Sequence, residues 1–152
     1  MIQIRKSATA DTRTCDVLTV SKATLAASSR EHIDDVGQAI TFFIANLKLA
    51  ASYHDYTKLS DIDGFFHDFR TGFKVQEWWK MHQREERHHI DNPEGVRDDV
   101  NLFDVLEHVA DCVMAGMGRA GSVYPMAVSA DVLIRAVQNT ADLLKSQIEV
   151  IK

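Results

Sequence analysis

Cysteine is scarce in this chain: only Cys15 and Cys112 are present, far apart. Without closely spaced thiol pairs or a dense, even set of cysteines, neither a zinc finger nor a disulfide framework is indicated. Two free thiols, buried or half-buried in a reducing compartment, are expected instead. Long apolar runs are also missing. No stretch approaches the ~20 residues of a membrane helix, and Met1-Ile2-Gln3-Ile4-Arg5-Lys6 lacks the apolar segment of a secretory signal. The chain therefore reads as cytoplasmic, with no membrane partner. An excess of basic residues is absent too: the formal net charge of -5 argues against general nucleic-acid binding, which needs a net positive face. A local basic pocket stays open. No internal repeat, low-complexity tract or domain-separating linker is visible.

What is present suits one globular domain: 152 residues, 45% hydrophobic and 26% charged. Residues 1–27 mix Ser, Thr and Ala with two β-prone pieces, Ile2 to Ile4 and Val17 to Val20, and read as an irregular arm or small hairpin. Ser28 followed by Glu31 offers a reciprocal helix cap. From there Ile33, Val36, Ile40, Phe43, Ile44, Leu47 and Ala51 recur at helical steps until about Tyr53. One or two short helices are expected between Asp61 and Phe73, another from Val75 to His88, then a loop at Asp91-Asn92-Pro93-Glu94-Gly95. Leu102, Val105, Leu106, Val109, Val113 and Met114 mark a helix that starts near Asp99 or Asn101 and ends within Gly116 to Gly121. Val132, Leu133, Ala136, Val137, Ala141, Leu144 and Ile148 mark the last. The predicted fold is all-α: an N-terminal arm over 1–27 and a single compact helical bundle over 28–152.

Seven histidines are present, most of them from His54 to His108. His54-Asp55 is an adjacent imidazole and carboxylate at the end of a helix, a pair that can ligate one borderline metal ion. Lys58 follows one turn later if the helix continues, and can offset charge on a phosphate. His82 lies seven residues before His89, so the two share a helix face if the helix persists; His88 stands beside them. Asp104, Glu107 and Asp111 fall at steps of three and four and line one side of a helix. Their mutual repulsion is relieved by a cation. Asp111, set among Val109, Ala110, Cys112 and Val113, is an improbable place for a carboxylate without a partner.

These residues resemble the HD-domain metal-dependent phosphohydrolases, whose ligands are an early His, a His-Asp pair and a late Asp. The closer resemblance is to an uncharacterised HD-like family of phages and bacteria. Its pattern is His-Asp-x-x-Lys, a His before Arg-His-His, and a late helix with Glu-x-x-x-Asp. Here it reads His54-Asp55-Tyr56-Thr57-Lys58, His82 with Arg87-His88-His89, and Asp99 through Glu107 to Asp111. The match covers roughly residues 28 to 120. It implies an HD-like bundle, metal ligands among His54, Asp55, His82, His88, His89 and Asp111, and a bacterial or phage-infected host cell. The early histidine maps onto His32, but an unbroken helix would separate it from His54 by about 33 Å. Either the chain doubles back near Asn46 to Ala51, or His32 is structural and His82 or His88 replaces it.

A divalent ion (Mn, Co, Fe, Mg or Zn) held by such ligands acidifies water and polarises a phosphoryl oxygen. The expected activity is therefore metal-dependent phosphohydrolase action on a nucleotide or related small phosphoester. Lys58, Arg84 and Arg87, with Arg119 as a weaker candidate, are the cations available to the phosphoryl group. Glu107, if not a ligand, can accept the proton of the attacking water. Trp78, Trp79, Tyr56 and Phe65 are candidates to stack on a base or to pack in the core. Phe65, Phe66 and Phe69 are placed to cover the site or an interface in a homo-oligomer. Two rival readings remain: a non-catalytic helical binding module with a structural metal and an unknown partner protein, and dinuclear oxygen-activating chemistry on a similar ligand set.

Overall fold

A computed structural model describes residues 1–92 and 96–151, and helices dominate it. The helices are α1 (Lys22–Tyr53), α2 (Tyr56–Ser60), α3 (Ile62–Arg70), α4 (Glu77–Glu85), α5 (Leu102–Ala120) and α6 (Ala130–Ser146). Strands β1 (Ile2–Arg5) and β2 (Ile148–Ile151) and a short 3-10 helix at Thr12–Thr14 complete it. The chain groups into two compact units, Met1–Ala45 with Ala141–Lys152, and Asn46–Thr140. No helix among the described residues is long and apolar enough to cross a membrane.

In the first unit β1 is the expected strand, but it forms no hairpin. It pairs in parallel with β2, Ile2 opposite Ile148 and Arg5 opposite Ile151. The second β-prone piece, Val17 to Val20, forms turns and no strand, because its Val17 and Leu18 find nothing to cover them and stay about 90% exposed. The first helix also starts earlier than Ser28. Ser21 Oγ accepts the N–H of Thr24 at 3.0 Å, satisfying a free donor of the first turn. Ser28 lies buried inside the helix rather than at its cap. α1 then runs unbroken to Tyr53, with no doubling back. Its periodic residues Ile33, Val36, Ile40 and Ile44 remain between 45% and 65% exposed: the period marks a helix face and does not supply a neighbour for it.

The second unit carries the core and the chemistry. Ile90, Val100, Val105, Val132 and Ala136 form its buried cluster, with Val96, Leu102 and Val128 packed against them. α5 is fixed at its start by Asn101, which accepts the N–H groups of Phe103 and Asp104 while Asp104 returns to the Asn101 N–H. Of the two starts the sequence offers, Asp99 and Asn101, the helix uses Asn101, with a reciprocal cap. Gly121, with φ of 65°, ends α5 in the left-handed conformation that glycine adopts without cost. The Thr140 hydroxyl accepts the Leu102 N–H at 2.9 Å, and the Asn139 amide donates to the carbonyls of Asp98 and Val100. These bonds tie the approach to α5 onto α6. The expected loop at 91 to 95 falls largely on Pro93 to Gly95, outside the described residues.

Candidate metal centre

α1 does not continue through His54. The chain turns at Asp55, where φ is 57° and ψ is 23°, a left-handed conformation that Asp and Asn adopt more readily than other side chains. Lys58 therefore reaches the site from the new helix α2 rather than from an extension of α1. Its Nζ pairs with Asp55 Oδ2. α4 likewise ends at Glu85, so His82 and His89 do not share a helix face. The turn through Glu86 to Ile90 brings them together instead, with Nε2 of one 2.9 Å from Nε2 of the other.

Asp55 is the hub. Its Oδ1 lies 3.4 Å from His82 Nε2 and 3.8 Å from His88 Nε2, and its Oδ2 lies 3.6 Å from His54 Nε2. Asp111 Oδ1 is 3.7 Å from the same His54 Nε2. Two donors bound to one tetrahedral ion at ordinary bond lengths stand about 3.3–3.6 Å apart. The His82 and His54 separations from Asp55 fall in that range, those involving His88 and Asp111 lie just beyond it, and the His82–His89 separation of 2.9 Å lies below it. Two groups result, His54–Asp55–His88 and Asp55–His82–His89, each with its donor atoms within 4.8 Å of one another. Asp55 Oδ1 is inaccessible to solvent and makes no hydrogen bond. A buried carboxylate oxygen left in that state is costly, and a cation is the partner the surrounding nitrogens fit.

The rings are held from behind. Glu107 Oε1 lies 2.9 Å from His54 Nδ1 and 3.1 Å from His88 Nδ1, the latter without hydrogen-bond alignment. Engaging Nδ1 leaves Nε2 directed at Asp55. This is how carboxylates orient metal-binding histidines, and Glu107 stands in that position toward both rings. A second brace supports His82. The Thr57 hydroxyl lies 2.6 Å from Glu86 Oε1 and 2.6 Å from His82 Nδ1. The Thr57 hydroxyl donates its single proton to Glu86 Oε1, so Thr57 accepts from His82 Nδ1–H. That leaves His82 Nε2 as the lone-pair nitrogen, facing Asp55 Oδ1 and His89 Nε2. Trp78, 4% exposed, stacks on the His82 ring with centroids 4.7 Å apart. Asp68, from α3, accepts the Trp79 N–H and caps α4, where Gln76 makes no side-chain cap bond. His108 Nδ1 donates to the His88 carbonyl at 3.0 Å and pins the turn.

Charge follows from these contacts. Burial, with His89 beside it, holds the His82 pKa down at about 3. Burial and His88 hold His89 at about 4. Both rings are therefore neutral, as ligands must be. Burial also pulls His88 down, but Glu107, Asp55 and Asp111 more than offset it and the net shift is upward. Burial raises Asp55, yet Lys58 and the histidines outweigh it and keep the carboxyl below its usual range.

Several expected site residues lie elsewhere. His32 meets Asp11 at 3.5 Å in the first unit, and the unbroken α1 leaves no route back to His54. Arg87 is ion-paired to Asp104 and Asp99 through its Nε, Nη1 and Nη2. The same pairing takes Asp104 out of the acidic row expected along α5. Arg84 is 64% exposed and pairs with Glu85. Arg119 approaches the Tyr124 ring. Trp78 is a buried wall behind His82, so it cannot stack on a base, and Phe65 packs against it.

Thr57, Glu86 and Asp68 were invisible to spacing arguments: Thr57 and Glu86 meet across 29 positions with no periodic relation. Removing the brace tests it. Thr57→Val keeps the shape and deletes the hydroxyl, so metal affinity is expected to fall about 10- to 100-fold, read by competition with a chromogenic chelator. Set against protein-family models, curated proteins and solved structures, the chain has no match.

Proposed function

We propose that this chain is an HD-type metal-dependent phosphohydrolase acting on a nucleotide or related small phosphoester. The observation that carries the reading is the buried, unbonded Asp55 Oδ1 facing the Nε2 atoms of His82 and His88. His54, His88 and Asp111 would hold an ion on one side of Asp55, and His82 and His89 on the other. If both groups held an ion, His54, His82, His88 and His89 would all serve as ligands. Bound there, a divalent ion supplies an acidified water and a polarised phosphoryl oxygen. Mixed nitrogen and oxygen donors favour a transition ion such as Mn²⁺, Co²⁺, Fe²⁺ or Zn²⁺ over Mg²⁺.

The chain's own groups do the rest. Glu107 and the Thr57–Glu86 pair hold the ring nitrogens in place, so no reorganisation is needed when charge develops. Lys58 balances the Asp55 charge from the α2 side. The order His54-Asp55-x-x-Lys58, Arg87-His88-His89 and Glu107-x-x-x-Asp111 supports the HD assignment.

The test is metal content of protein purified without added metal, followed by phosphate release from a nucleotide and phosphoester panel with Mn²⁺, Co²⁺ or Mg²⁺. Near-stoichiometric or double-stoichiometric metal with turnover is the expected result. No metal uptake and no turnover would overturn it and leave a helical binding module.

A further inference from the structure

We infer that the apolar groove between the end of α1 and the middle of α5 seats the leaving group of the substrate, which is a phosphomonoester of an apolar or aromatic alcohol rather than a polyphosphate. This rests on the phosphohydrolase reading above and narrows it. The groove, a cavity of about 370 Å³, has His54, Glu107 and Asp111 at its polar end. Its remaining wall is Leu47, Ala50, Ala51, Leu106, Ala110 and Met114. Two of the ligand side chains therefore open directly onto it, and their opposite neighbours are small or aliphatic. The alanines leave width for a flat ring. Pockets of this size and lining take drug-sized organic groups.

Charge decides against a chain of phosphates. No cationic side chain lines the groove. The larger cavity beyond Glu107, about 470 Å³, is lined by Glu85, Glu86, Asp104 and Glu107. Its single cation, Arg87, is spent on Asp104 and Asp99. Among the described residues, Lys58 is the one Lys or Arg ion-paired to a ligand of the site. A triphosphate carries about twice the charge of a monoester and would meet carboxylates on one side and hydrocarbon on the other, without the cations that phosphate recognition requires. A monoester places one phosphoryl group at the ligands and its apolar alcohol along the groove. Water oxygen adds to phosphorus, the bond from phosphorus to the alcohol oxygen breaks, one proton of the water goes to that oxygen, and phosphate and the alcohol are released.

The experiment compares kcat/KM of the Mn²⁺-loaded chain on naphthyl phosphate, glycerol phosphate and a nucleoside triphosphate, in wild type and Ala110→Trp. A second readout needs no turnover: the ¹³C-methyl spectrum of its five methionines, titrated with phenylphosphonate and Zn²⁺. The expected result is preference for the naphthyl ester, at least about a tenfold rise in its KM in Ala110→Trp with metal content unchanged, and a shifted Met114 methyl. Preference for the triphosphate, with Met114 unmoved, overturns the groove and leaves the phosphohydrolase. A shifted Met114 without hydrolysis of any ester overturns the phosphohydrolase and, with it, the leaving-group assignment. An Ala110→Trp variant that changes only the oligomeric state, with KM intact, assigns the groove to a second copy and overturns the proposal.

Discussion

Asp55→Asn is expected to give a folded chain that takes up no metal. Asparagine has the shape of aspartate and tolerates the left-handed backbone at this position, so the turn between α1 and α2 survives. What is lost is the anionic oxygen shared by both ligand groups. Removing an outer partner of a ligand costs 10- to 100-fold in affinity, and removal of the shared ligand itself is expected to cost more than about 100-fold. On the proposed phosphohydrolase reading, phosphate release is expected to fall to background. Asp55→Ala loses the metal equally but adds a backbone penalty of roughly 1–2 kcal/mol, because alanine resists φ near 57°. Metal analysis together with thermal unfolding in chelator separates the two effects. An Asp55→Asn chain that retains wild-type metal would mean that Asp55 is not the ligand hub.

Arg87→Met is expected to weaken the fold and spare the site. Asp104 is 3% exposed and carries two duties: it accepts both arms of the Arg87 guanidinium, at 2.7 and 2.8 Å, and it closes the cap on α5. Without Arg87 a buried carboxylate is left short of its counter-charge. Breaking such a pair costs 3–5 kcal/mol when both partners are buried. Arg87 is about a third exposed, so about 2–3 kcal/mol is expected. In a chain of this length that corresponds to a fall in Tm of roughly 5–10 °C. Metal content should not change. The opposite pattern, an intact Tm with a raised KM, would return Arg87 to the substrate side.

The parts of this molecule that were legible in the sequence are those governed by local spacing. The α5 cap at Asn101, its stop at Gly121 and the run of α1 follow from residues one to four positions apart. His54, Asp55, His88 and His89 stood out because the side chains that carry metal chemistry are few and were clustered. What could not be read depended on partners far along the chain. Val17 to Val20 has the composition of a strand but no strand beside it. Thr57 and Glu86 look like ordinary helix-end residues until the fold joins them. Arg87 looked like a phosphate ligand because its charge was visible and its obligation to Asp104, 17 positions on, was not. The periodic face of α1 announced a surface to be covered without identifying the cover.

The pairing of β1 with β2 carries a consequence for the order of events in making the protein. Gln3 and Glu149 are joined across 146 positions, and the two strands run parallel, so neither can find a substitute in a local hairpin. β1 leaves the ribosome long before β2 exists. While α1 forms within its own turns, β1 waits as an unpaired edge, the kind of segment to which a neighbouring nascent chain can add a strand. Closing the sheet is thus a late event, gated by the synthesis of Ile148 to Ile151, and a ribosome stalled before those residues would hold a chain in which Asn46 to Thr140 has been synthesised while the first strand is still open.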